Sequence, residues 1–374
     1  MTPASPTRPA LSASDLAELL ARGERVTVLD VRGDPGATIE SARSRQVPAR
    51  AVLADPGAVA AGLDGPVAVV CNRGVVAESV TRALREHGVD AAVLEGGMQG
   101  WIGLLQSRPV ELGVPGLVVR QVQRPGRGCL SYLLAAGSRA LVVDPAPDAA
   151  YYLALADELG ATITDVFDTH LHADHLSGAR ALALAAGATL RLPATALERG
   201  VADAENVESL RDGDELDLGR VALRAVALPG HTTDMTGLLV GGAALIAGDS
   251  LFADGIARPD LEHGDPEGAR AMARRLHRTL HERVLLLGDD VVLLPGHTHP
   301  GVHAFAIAPR LGEVRGSVPE LALEDPDAFA EALLADMPPR PANYEAVIAV
   351  NSGLAASSPG LEAGGNNCAT RGTR

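Results

Sequence analysis

The stretch THLHADH at 169–175 puts three imidazoles, His170, His172 and His175, and the carboxylate of Asp174 within six residues. Neutral imidazole and carboxylate are the side chains that hold zinc, iron or manganese. The apolar run 163–167 before them is β-branched and alternating, and predicts a strand. After them LSGARALALAAG, 176–187, predicts a helix with Leu176, Ala179, Leu182 and Ala186 on one face. The cluster therefore belongs at the C-terminal lip of a strand, where open α/β sheets place their chemistry. Three further motifs repeat this placement. LPGHT (228–232), AGDSLF (247–252) and LLPGHT (293–298) each follow an apolar run with a Gly-containing turn, and deliver His231, Asp249 and His297. Five of the 11 histidines fall in these motifs, a regularity that a solvated polar loop does not produce. The pattern predicts a metal centre.

Cys71 is the second candidate for chemistry. The buried strand 66–70 delivers it into the loop CNRG (71–74), and a helix through Val80 and Leu84 follows. Backbone N–H groups and a helix N-terminus at such a place favour a thiolate, with a pKa below about 8.5. Arg73 adds positive charge. The spacing fits an inert buried thiol equally well. Cys129, in GCLSY at 128–132, opens a predicted strand and is expected in the core, whereas Cys368 lies near the Gly-rich C-terminus. Three widely spaced cysteines make no disulfide framework.

Composition bounds the rest. At 374 residues the chain is long for one core and predicts two domains. The 47% hydrophobic content supplies core material, no apolar run reaches the length of a membrane span, and MTPASPTRPALSAS lacks a signal-peptide core, so a cytoplasmic protein is expected. A net charge of −15 argues against nucleic acid as partner. There is no lysine, which excludes Schiff-base catalysis.

The elements fall into two sets. Up to about residue 106, short apolar strands at 26–29, 66–70 and 91–94 alternate with helices, the signature of a small parallel α/β domain, with 33–50 polar and irregular. Residues 107–115, with Pro109, Gly113 and Pro115, read as a linker. Beyond it, strands at 118–122, 130–134 and 140–143, a helix at 149–159 and further strands after the THLHADH motif predict a layered α/β sandwich over 116–374.

DVR at 30–32, the Cys71 loop and EGGMQGW at 95–101 resemble a rhodanese-like domain over 11–106, which implies sulfane sulfur carried on Cys71, with Arg73 as its charged neighbour. This loop departs from the family by carrying Val76 and Ala77 where Arg and Ser are usual, and QVPAR at 46–50 replaces the usual HIPGA. The motif set of THLHADH, His231, Asp249 and His297 resembles the metallo-β-lactamase superfamily and implies an αββα sandwich. Two uses of that fold are implied. As in glyoxalase II-like thiolester hydrolases, two Zn(II) would sit on His170, His172 and His231, and on Asp174, His175 and His297, with Asp249 bridging. As in persulfide dioxygenases, one Fe(II) would sit on His170, His231 and Asp249, with Asp174 among the catalytic groups around it. GIARPD at 255–260 makes Arg258 the implied substrate-binding arginine, and PANY (341–344) and NNCA (366–369) also look like that branch. His299 stands where that family carries a substrate-binding tyrosine. His263 is expected to be solvated. The fusion favours the dioxygenase expectation: a low-molecular-weight thiol persulfide such as glutathione persulfide would be oxidised to sulfite beside a domain that handles sulfane sulfur. A non-catalytic sulfur carrier is the third reading, and the resemblance implies a homodimer.

Overall fold

The computed structural model describes residues 10–362, except 35, 37, 203–205, 264, 300, 336, 338, 341–342 and 359. The chain divides into two compact units. The first holds the described residues up to Gln106, with Arg124–Gly128 and His299–Phe305; the second holds Ser107–Gln123, Cys129–Thr298 and the described residues from Ala306 onward.

The first unit is built on β1 (Ala10–Leu11), β2 (Thr27–Asp30), β3 (Ser44–Gln46), β4 (Val67–Val70) and β5 (Ala91–Leu94), in the order β1-β5-β4-β2-β3 with parallel pairing throughout. Central strands β2 and β4 are buried at every residue, as a parallel sheet covered on both faces requires. Neighbouring residues point to opposite faces. Val28 and Val70 pack with Leu16, Leu20 and Trp101 on one side, and Leu29 and Val69 with Val80 and Leu84 of the helix Val75–Glu86 on the other. Ser12 caps the helix Ala13–Ala21 by accepting from the Asp15 N–H, as its sequence predicts. Strand β3 lies inside the segment expected to be irregular. Its residues are Ser, Arg and Gln, all exposed at a sheet edge, so no apolar alternation announces it.

The second unit contains two sheets. One runs β12-β11-β10-β9-β8-β7-β6, from β6 (Gln106–Val110), β7 (Leu117–Arg124), β8 (Cys129–Ala136), β9 (Arg139–Val143), β10 (Thr162–Phe167), β11 (Thr189–Pro193) and β12 (Val207–Leu210). The stretch read as a linker thus begins inside edge strand β6, where Pro109 is tolerated because an edge has a free side. The other sheet runs in chain order through β13 (Glu215–Leu218), β14 (Val221–Ala227), β15 (Thr236–Val240), β16 (Ala244–Gly248) and β17 (Val292–Pro295); β16 and β17 pair parallel after three antiparallel pairings. Strands β8 and β16 are buried at every residue, covered on one face by the opposing sheet and on the other by helices. On β16 and β17, Leu245, Ala247 and Leu293 pack with Ala273, Leu276, Phe329 and Leu333 of the helices Pro266–Thr279 and Pro326–Ala335. This is the predicted αββα sandwich. Every candidate ligand motif follows the C-terminal end of a strand: β10 in one sheet, and β14, β16 and β17 in the other. No helix among the described residues is long and apolar enough to cross a membrane.

Candidate metal centre

His170, His231 and Asp249 are buried, and their ligand atoms lie within 4.8 Å of one another. His170 Nε2 and His231 Nε2 stand 3.9 and 3.8 Å from Asp249 Oδ2. These separations are too long for hydrogen bonds, and none of the three atoms has a hydrogen-bond partner in the protein. Three unsatisfied polar atoms buried side by side are costly unless a cation satisfies them together, so the donor set fits a metal ion.

The far side of each ring is fixed. His231 Nδ1 donates to the Arg258 carbonyl at 2.7 Å. Thr169 Oγ1 donates to Asp144 Oδ2 at 2.9 Å and therefore accepts from His170 Nδ1, also at 2.9 Å. Both rings thus carry the proton on Nδ1 and present a bare Nε2, the ligand form. His172 is turned the other way. Its Nε2 lies 3.2 Å from Asp144 Oδ1, while its Nδ1 is buried without a partner beside His170, the two ring centroids being 4.2 Å apart.

The second group comprises Asp174, His175, His297 and Cys129, again with ligand atoms within 4.8 Å of one another. His175 Nδ1 bonds Asp174 Oδ1 at 2.8 Å, and His297 Nε2 lies 3.1 Å from Asp174 Oδ2. His297 Nδ1 bonds Asp249 Oδ1 at 2.6 Å, so Asp249 turns one oxygen to each group. Gly296 permits this closeness, because a Cβ there would lie 2.5 Å from Asp249 Oδ1 and 3.0 Å from the Gly248 carbonyl carbon. Cys129 enters through the backbone: the Leu130 N–H donates to the Gly296 carbonyl at 2.8 Å, and Cys129 pairs with His297 across an isolated bridge. Sequence reasoning placed this thiol in the apolar core. It is buried, but among ionisable groups.

Burial and the nearby His172 push the His170 imidazole well below its ordinary pKa. Burial would raise the Asp249 and Asp174 carboxyls, yet facing imidazoles hold both low: His297, His170 and His231 at Asp249, and His175 and His297 at Asp174. His175 and His297 rise well above the ordinary value, because their carboxylate and thiol neighbours outweigh burial. Burial also opposes ionisation of Cys129, but His175 and His297 bring it down to about 6. Negative groups balanced by protons in this way are arranged to exchange those protons for a metal ion.

Several supports lie outside the motifs. Asp234, two residues past Thr232, accepts the Leu171 N–H at 2.8 Å and Arg199 at 3.0 Å. Asn351, ending the helix Tyr344–Asn351, donates to the carbonyls of His172 and His175 at 2.8 and 2.9 Å and accepts the Ser177 N–H at 2.9 Å. Asp144, after β9, holds Thr169 and His172. Only Asp144 had a signal, as a carboxylate at the end of an apolar strand.

The remaining candidates are dispersed. Arg258 is fully buried; its guanidinium is clamped on Asp260 at 2.7 and 3.0 Å and reaches the Pro339 carbonyl, while its own carbonyl holds His231. In the first unit, Cys71 is buried in the apolar layer with Leu29, Val69 and Ala77, and its Sγ accepts the Gly74 N–H at 3.2 Å. Gly97 lets the strap over this loop approach, since a Cβ would stand 2.1 Å from the Cys71 carbonyl oxygen. Arg73 is exposed on a cleft with Glu78, Arg82, Arg85 and Glu95. His299 is half-buried and belongs to the first unit by its contacts. His263 is exposed. Cys368, the NNCA segment, Pro341 and Ala342 lie outside the described residues.

A buried His/Asp/Cys centre at the strand ends of an αββα sandwich defines a class of metal-binding protein, and comparison with known proteins supplies the family. Residues 124–297 match the metallo-beta-lactamase superfamily model, and 12–104 match that of the rhodanese-like domain. Human mitochondrial persulfide dioxygenase ETHE1 is 30% identical over 193 residues, covering 50% of this chain and 71% of the relative. The hydroxyacylglutathione hydrolase of Anaeromyxobacter dehalogenans is 34% identical over 244 residues, covering 64% and 87%. Among solved structures, ETHE1 from Myxococcus xanthus superposes with a TM-score of 0.55 at 28% identity, covering 63% of this chain and 99% of that one. The chain belongs to the metallo-β-lactamase superfamily, in its ETHE1- and glyoxalase II-like branch, and carries a rhodanese-like domain ahead of that fold.

Proposed function

We propose that the protein is a persulfide dioxygenase that converts a low-molecular-weight thiol persulfide, O₂ and water to the free thiol, sulfite and two protons. The observation that carries this reading is the division of Asp249. Its Oδ1 is taken by His297 Nδ1 at 2.6 Å, which leaves Oδ2 with His170 and His231 as a group of two imidazoles and one carboxylate. Fe(II) held by these three residues would supply the redox chemistry that joins the persulfide sulfur to oxygen from O₂. The surrounding residues hold that group in shape. His297 keeps Oδ2 of Asp249 facing His170 and His231, the Arg258 carbonyl and Thr169 keep the two Nε2 atoms bare, and His172 closes one side with Nδ1. Asp174 and His175, hydrogen-bonded to each other, steady His297 and through it the Asp249 carboxylate. The Arg258 guanidinium is already paired with Asp260, so in this reading the pair fixes the backbone whose carbonyl holds His231, and the guanidinium grips substrate only by exchanging that pair. Cys71 supplies or accepts sulfane sulfur in a separate step.

A second reading, thiolester hydrolysis at two zinc ions, draws on the longer match to the hydroxyacylglutathione hydrolase and on the second buried ligand group. Anaerobically purified protein assayed for iron, O₂ uptake and sulfite release with glutathione persulfide separates the two. Iron-dependent uptake with sulfite release is the expected result. Hydrolysis of S-lactoylglutathione by zinc-loaded protein, with no O₂ uptake by iron-loaded protein, would overturn the dioxygenase.

A further inference from the structure

We propose that Cys129 supplies a fourth, thiolate ligand to the metal position that the resemblance implies at Asp174, His175 and His297, closing it for zinc beside the open group at His170, His231 and Asp249. All four side chains are buried, and one ligand atom from each lies within 4.8 Å of the others. His297 Nε2 faces Asp174 Oδ2 at 3.1 Å as an ion pair without hydrogen-bond alignment. Each ring is anchored by Nδ1, His175 on Asp174 and His297 on Asp249, and each therefore keeps Nε2 for a further partner. The backbone sets Cys129 beside His297, through the bridge between them and the Leu130–Gly296 bond.

The donor set decides what such a site takes. One sulfur, two nitrogens and one oxygen suit tetrahedral zinc, and a thiolate discriminates against hard ions such as magnesium and manganese. Four protein ligands leave no coordination position for water, so this site holds its ion while the three-ligand group stays open for reaction. Two dissimilar sites then stand side by side, joined through the His297–Asp249 hydrogen bond. The filled site would keep His297 donating to Asp249 Oδ1, and so steady the reactive group. The inference stands independently of the reaction performed at the open group.

The test is anaerobic Co(II) titration of the metal-free full-length protein. Wild type is expected to bind two equivalents, one of them raising a near-ultraviolet sulfur-to-cobalt charge-transfer band. Cys129→Ser should lose the band and bind one equivalent fewer, and zinc affinity at that site should fall by about 100-fold or more, since loss of outer-shell support alone costs 10–100-fold. Cys71→Ser should keep the band. Circular dichroism establishes that each variant is folded. Should Cys129→Ser not fold, His297→Gln retains the thiol and is expected to shift the band. A wild-type protein saturated without the band, a band that survives Cys129→Ser or disappears in Cys71→Ser, or one unmoved by His297→Gln would overturn the proposal. Iron and O₂ assays report on the open group and the cobalt band on the closed one, so failure of either reading is distinguishable from failure of the other.

Discussion

At the scale of single residues, the centre is organised by which oxygen or nitrogen each side chain spends on the protein. Thr169, Asp144 and the Arg258 carbonyl each occupy the far atom of an imidazole and so decide which lone pair faces inward. Arg258 shows how this reasoning revises a motif-based assignment. As a motif it suggests a substrate clamp, but as a buried cation it must be neutralised, and Asp260 does so with two hydrogen bonds. Burial would raise the Asp260 carboxyl, but Arg258 and Arg340 hold it below its ordinary value. A carboxyl with a folded-state pKa below its unfolded one contributes stability above the ordinary carboxylate range and loses it as pH falls through the folded value. Asp260→Asn should therefore cost about 3–5 kcal/mol near neutral pH, the range for breaking a buried ion pair. The gap from wild type should shrink below pH 4 or so, which urea unfolding at a series of pH values would measure. A gap that is the same in acid would remove the ion pair as its cause.

At the scale of elements, the strand ends bring the ligands together and a few backbone contacts set how closely. Gly296 lies where the loop after β17 crosses Gly248 and Asp249. Gly296→Ala should destabilise the fold by about 1–3 kcal/mol through overpacking and lower the bound metal, read by thermal melts and metal analysis. The helix Tyr344–Asn351 acts from the C-terminal side. Asn351 bonds three backbone groups of the loop 172–177, so Asn351→Ala should cost about 1–3 kcal/mol for the groups left unsatisfied. Hydrogen exchange in that loop should rise at the same time. Unchanged exchange would show that the loop holds its shape without the brace.

At the scale of the whole molecule, two units carry two candidate sites, each buried within its own fold. Cys71 lies in the apolar layer of the first unit and the metal ligands at the strand ends of the second. Cys71→Ser should abolish sulfane-sulfur transfer, assayed with thiosulfate and cyanide, and leave iron content and persulfide-dependent O₂ uptake at wild-type levels. Loss of both activities would sink the picture of two independent sites. What could be read along the chain was whatever depends on local order: apolar alternation marks the strands, and His or Asp just past a strand marks the seven candidate ligands. Edge strands β3 and β6 escaped because polar or Pro-containing edges carry no alternation. Cys129, Asp234 and Asn351 became site residues only in three dimensions. A thiol opening β8, a carboxylate after a histidine motif and an amide ending a late helix have no spacing relation to THLHADH. Closure of the sandwich, through β-pairing and side-chain hydrogen bonds between segments far apart in the chain, is what makes them neighbours.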